Sequence, residues 1–179
     1  MRPVRVLRVV AVAGVLTLAG VLGWRLTHQP KTVLAAVSHG KVVKAPTFRL
    51  KPLSGPGTVS LAALRGKAVV VNFWGSWCGP CKAETPRLQA GFARWAGKGV
   101  AFVGIDVLDS RSAARAFVRK HRVTYQIGYD QLGDTTLTYG VVNTPTTFFV
   151  DRRGRIVKRV VGEISTSTLN AQIERALAS

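Results

Sequence analysis

The chain has 179 residues, 47% of them hydrophobic, which excludes global disorder and suffices for one compact domain plus a short extra segment. The formal charge is +18, but the basic residues are spread along the chain without a helix-turn-helix, zinc-finger or RNA-binding signature, so no nucleic-acid partner is expected. Both cysteines lie in Cys78-Gly79-Pro80-Cys81, which excludes a scaffold stapled by several disulfides.

Arg2, Arg5 and Arg8 precede an apolar run from Val9 to Trp24. Its 16 residues span roughly 24 Å as a helix, somewhat less than a bilayer core of about 30 Å. Arg8 and Arg25 extend the reach by snorkelling, and Trp24 stands where an interfacial aromatic belongs. Residues 1–26 are therefore read as a single N-terminal membrane anchor, with a cleaved signal peptide as the alternative. Val33-Leu34-Ala35 offers a cleavage site only well downstream, and Val21 stands where a lipoprotein signal needs cysteine. Either reading exports the rest of the chain. The expected location is the cytoplasmic membrane, single-pass, with the catalytic domain on the extracytoplasmic side; secretion after cleavage is the alternative. Residues 27–45 are polar and mixed and read as a tether, leaving 46–179 as the folded domain.

Within that domain, Phe48–Leu50 and Thr58–Ser60 are expected as short strands around Ser54-Gly55-Pro56-Gly57. Ala68–Phe73 is a β-branched run suited to a buried central strand. A helix follows from near Cys78 to about Ala96, with Leu88, Phe92 and Trp95 on one face. Val100–Asp106 is a second buried strand, Ser110–His121 a helix, Thr124–Tyr129 a strand and Thr135–Tyr139 a short helix. Thr146–Val150 and Ile156–Val161 form a hairpin about Asp151-Arg152-Arg153-Gly154, and Ser165–Ala178 closes the chain as an amphipathic helix. The fold class is α/β: a central mixed sheet with helices on both faces.

The chemistry sits at Cys78 and Cys81. A thiol attacks a disulfide only as thiolate, and a helix N-terminus favours that anion. Cys78 falls at such a terminus, Pro80 in its first turn, and Cys81 one turn further in. Cys78 is expected to attack a partner disulfide and Cys81 to resolve the mixed disulfide. A zinc site would need about four ligands, and His28, His39 and His121 are scattered, so no metal and no cofactor is expected.

The string Asn72-Phe73-Trp74-Gly75-Ser76-Trp77-Cys78-Gly79-Pro80-Cys81-Lys82-Ala83-Glu84-Thr85-Pro86 resembles the TlpA/ResA branch of the thioredoxin superfamily. The resemblance extends over about Ala45–Ser179. It implies a thioredoxin-like fold and a protein thiol–disulfide oxidoreductase. Asn143-Thr144-Pro145-Thr146 resembles the family's cis-proline loop, which implies that Pro145 is cis and that the Thr144 backbone meets a bound substrate strand. Trp77, Gly79 and Pro80 are implied as active-site support, with Trp77 shielding the disulfide. Glu84 is implied near Cys81 as an influence on its proton transfer. Asn72 stands where thioredoxins proper carry a buried aspartate, which favours the ResA-like branch.

The implied substrates are protein dithiols and disulfides, with apocytochrome c the first candidate, and the implied electron donor is a membrane protein of the DsbD/CcdA kind. The expected role is an exported reductase. An exported disulfide-forming oxidase using the same cysteines, or a non-catalytic binding module, are the alternatives. Peroxiredoxins lack the Trp-Cys-Gly-Pro-Cys pattern.

Overall fold

The computed structural model describes residues 14–24 and 42–179. The chain divides into two compact units, Met1–Lys31 and Thr32–Ser179. In the first, residues 14–24 form helix α1, exposed throughout. Residues 1–13 and 25–26 of the expected anchor, and 27–41 of the expected tether, lie outside the described residues. No described helix is long and apolar enough to cross a membrane.

The second unit is built on β4 (Ala68–Trp74), whose seven residues are all buried. Its Val and aromatic side chains alternate between two cores, as a strand covered on both faces must. Val70 and Trp74 join one core, with Leu88, Phe117 and Leu169. Val69, Val71 and Phe73 join the other, with Phe148, Tyr139 and Ile156. Parallel to β4 runs β5 (Val100–Val107), and parallel to β5 runs β6 (Gln126–Asp130). On its other side β4 pairs antiparallel with β7 (Thr146–Val150), which turns through residues 151–154 into β8 (Arg155–Val161).

The sheet order is β1-β8-β7-β4-β5-β6-β2-β3. Here β2 (Arg49–Pro52) and β3 (Val59–Ser60) form the expected hairpin, and β2 adds antiparallel to β6. Inside the segment read as tether, Val43–Lys44 forms β1, a two-residue edge strand on β8. Ala45 beside it is buried, and the Tyr139 hydroxyl donates to the Pro46 carbonyl at 2.7 Å.

Helices α2 (Gly79–Trp95), α3 (Arg111–Lys120) and α5 (Thr166–Ala178) supply the first core, and α4 (Asp134–Thr138) leads into Tyr139 of the second. Ser110 and Ser165 cap α3 and α5, each accepting a backbone N–H three residues on. All three parallel strands thus deliver their C-terminal ends, and the loops that follow them, to one edge of the sheet. This mixed sheet between helical layers is a thioredoxin-like fold.

Candidate active site

The site forms where β4 runs into α2. Gly75 follows Trp74, and a Cβ there would meet the Trp77 ring at 2.6 Å, so only glycine lets that indole fold back. Trp77 remains 57% exposed. The Cys78 N–H donates to the Gly75 carbonyl at 3.1 Å, closing the turn. The Ser76 N–H donates to Asp109 Oδ2 at 2.7 Å, fastening the loop to the end of β5.

Cys78 is the N-cap of α2, with extended backbone angles, and its Sγ accepts the Cys81 N–H at 3.2 Å. Gly79 and Pro80 are exposed in the first turn, where the N–H that proline lacks would have no intrahelical partner. Cys78 and Cys81 are joined as a disulfide with Cα atoms 5.3 Å apart. Cys78 is 4% exposed and Cys81 is fully buried, so Cys78 is the outer sulfur. On reduction, a Cys78 thiolate inherits the N–H and the positive end of the helix dipole. No acidic residue lies in the first turn to oppose it.

Thr144 and Pro145 precede β7, and the peptide bond between them is cis. Because Thr146 pairs with Phe73 in the β4–β7 ladder, this loop stands beside the C-terminal end of β4, where the cysteine loop begins. The Pro145 carbonyl accepts the Gly162 N–H at 2.8 Å.

Glu84 lies one turn beyond Cys81 on the same face of α2 and is fully buried. Oε1 accepts Asn72 Nδ2 at 2.8 Å and Oε2 accepts the Ile164 N–H at 3.0 Å. Asn72 Nδ2 also donates to Thr147 Oγ1 at 3.0 Å, tying β4, β7 and α2 together. Burial pushes the Glu84 carboxyl up to about 7, outweighing those two hydrogen bonds, which favour the anion. A buried acid with such a value, beside a buried cysteine, can exchange a proton near neutrality. Arg87, one turn on, pairs with Glu163 and donates to the Ile164 carbonyl at 3.1 Å, bracing the loop that meets Glu84.

The structure thus gathers Cys78, Cys81, Glu84, Thr144 and Pro145 at one end of the sheet. It adds three residues that the sequence reading did not single out as functional. Asn72 holds Glu84, Thr147 orients Asn72, and Asp109 holds the cysteine loop. A fourth residue, the acid Asp106, is fully buried near the end of β5. An aspartate closing an otherwise apolar strand was its visible signal.

The family described as the AhpC/TSA family matches residues 43–159. The thiol-disulfide oxidoreductase ResA of Bacillus thuringiensis subsp. konkukian (strain 97-27) is 30% identical over 160 residues, covering 89% of this chain and 91% of that protein. ResA of Bacillus subtilis (strain 168) is 31% identical over 155 residues, covering 87% and 85%. The crystal structure of a DsbF homologue from Corynebacterium diphtheriae superposes with a TM-score of 0.70 at 32% identity, covering 76% of this chain and 88% of that one.

Proposed function

The chain belongs to the AhpC/TSA family, among thiol–disulfide oxidoreductases of the ResA type, and from that premise we propose that it is a membrane-anchored reductase of extracytoplasmic protein disulfides. The observation that carries this reading is the outer cysteine at the head of α2, its sulfur already accepting the Cys81 N–H.

In the proposed cycle the reduced protein presents Cys78 as thiolate. Its sulfur attacks one sulfur of a client disulfide, and the other client sulfur leaves as thiolate. Cys81, deprotonated, then attacks Cys78 Sγ and expels the client's remaining thiolate. Two electrons pass to the client, and the Cys78–Cys81 disulfide is left behind. Glu84 takes the proton from Cys81 in the resolving step; a carboxyl near 7 is matched to that task. Thr144 and Pro145 lay the client strand against Cys78, and Trp77 and Pro80 border it.

The anchor is the apolar run Val9–Trp24, with the domain outside the cytoplasmic membrane. The client proposed first is apocytochrome c before haem attachment, and a membrane donor of the DsbD/CcdA kind restores the dithiol.

Cys81→Ser in the full-length chain, expressed in its native host, stalls the cycle at the mixed disulfide on Cys78. Trapped partners carrying Cys-x-x-Cys-His support cytochrome maturation. Failure to trap any partner counts against the exchange cycle. A redox titration giving a potential as oxidising as that of dedicated oxidases counts against the reductase direction.

A further inference from the structure

Asp106 is fully buried, and neither of its carboxylate oxygens accepts a hydrogen bond. It stands in register with Trp74 of β4, the residue from which the cysteine loop departs, and with Tyr129 of β6. An ionised carboxylate in such a place would be uncompensated, whereas the neutral acid has an O–H to donate.

Three charged groups act on it: Asp109 in the loop after β5, Arg111 at the start of α3 and Asp130 at the end of β6. Arg111 is engaged elsewhere. Its Nη1 donates to the Pro52 and Leu53 carbonyls at 3.0 Å, and its guanidinium lies 4.3 Å from the Tyr129 ring centroid. Asp130 caps α4, accepting the Thr135 and Thr136 N–H groups and the Thr136 hydroxyl. Asp109 accepts one hydrogen bond on each oxygen, from Ser76 N–H and Ser110 N–H, both at 2.7 Å, and each oxygen keeps a second lone pair. It is the acceptor open to a neutral Asp106. Between the two acids, Leu108 adopts φ 47°, a left-handed conformation costly for leucine. Interactions of this turn must hold Asp109 beneath Ser76 against that strain.

We propose that Asp106 and Asp109 form a carboxyl pair holding one proton, which positions the active-site loop through the Ser76 N–H and so sets the reactivity of Cys78. Asp106 donates its proton toward Asp109, and Asp109, the only half-exposed member, carries the negative charge to Ser76. Burial first, and the Asp109 charge second, push the Asp106 carboxyl up to about 8. Above that pH two carboxylates face each other, Asp109 withdraws, and the Ser76 tether loosens. Asp106 is a positioning residue for the exchange reaction, and the inference rests on Cys78 being the attacking sulfur.

The test has two arms, both on the full-length chain in detergent micelles. In the oxidised protein, where no thiol titrates, the side-chain carboxyl NMR signal lost in Asp106→Asn is followed with pH beside the Ser76 amide. The expected result is a midpoint near 8 for Asp106 and a coincident shift of the Ser76 amide. Asp106→Asn keeps a neutral donor, so it retains the Ser76 position at pH 7 and abolishes the alkaline shift. Glu84 titrates in a neighbouring range, and a shift that survives in Asp106→Asn belongs to it and overturns the pair. An Asp106 signal titrating near 4 overturns it as well. In the reduced protein, the pH profile of Cys78 alkylation should lose its alkaline inflection in Asp106→Asn and equally in Asp109→Asn, because neither variant leaves two carboxylates facing each other. Profiles that superimpose with wild type refute the coupling. Mass mapping that finds alkylation first at Cys81 refutes instead the assignment of Cys78 as the attacking sulfur, and leaves the oxidised-state result standing on its own.

Discussion

Glu84→Gln isolates what a buried acid does to the stability of this fold. In the folded protein the carboxyl titrates at about 7, against 4.5 when solvated. Between those values the folded state keeps a proton that the unfolded state has released. Stability from this group is therefore undiminished below 4.5, falls as pH rises through the interval, and levels off above 7. Linkage puts the loss at about 1 kcal/mol by pH 5 and about 3 kcal/mol by pH 8. Glutamine is neutral throughout and has no such slope. Its amide must turn one N–H toward a donor, either Asn72 Nδ2 or the Ile164 N–H, at a cost of about 1–3 kcal/mol that does not vary with pH. Asp106 titrates alike in both proteins and cancels. The stability of Glu84→Gln relative to wild type should thus rise by about 2 kcal/mol between pH 5 and pH 8. Urea denaturation of both oxidised proteins at those two pH values measures it. A difference that stays constant with pH refutes the buried, proton-holding Glu84.

Asn72→Asp keeps the size of the side chain but sets a second carboxyl 2.8 Å from Glu84 Oε1, where a donor stood. It should cost about 3 kcal/mol at pH 8 and much less at pH 5, where the two acids can share a proton, and an equal loss at both would contradict this. Gly104→Ala drives a Cβ to 2.6 Å from Ile127 Cδ1 and 2.8 Å from Trp74 Nε1, whereas Gly91→Ala crowds the end of Leu169 at 2.7 Å and otherwise meets Phe102 Cζ at 3.4 Å. In thermal unfolding Gly104→Ala should lose about 1–3 kcal/mol and Gly91→Ala distinctly less, and the reverse order would show that the β5 site relaxes more readily than its packing implies.

Periodicity made the sheet legible because β4 and β5 are buried on both faces and carry runs of β-branched residues that few other structures accommodate. The exceptions have local causes. The strand expected from Thr124 begins at Gln126, since Thr124 donates its backbone N–H to Gln89 Oε1 and accepts Gln89 Nε2 on its hydroxyl instead of joining a ladder. The strand expected at Phe48–Leu50 shifts to Arg49–Pro52, whose last residue pairs with Gly128 of β6 and has no partner in β3, so a proline is tolerated there. Two residues, Val43 and Lys44, carry too little pattern to announce β1. At the site, the cysteine pair was readable from its spacing at a helix start, and Glu84 from the family resemblance of the string around it. The partners that give Glu84 its character, Asn72 and Ile164, come from β4 and the loop after β8, and no local signal joins them. The same holds for Asp109, whose tie to Ser76 crosses 33 residues.

The stretch from Val43 to Ser60 has a role beyond adding strands. It leaves β8 at one margin of the sheet, crosses the face that holds Phe48 and Tyr139, and reaches β6 at the other. One continuous segment therefore pairs with part of each margin, where bare N–H and C=O rows would otherwise face another chain. Deleting it unmasks two templates for intermolecular β-pairing at once. Self-association, ahead of any loss of redox chemistry, is the expected first symptom of damage there.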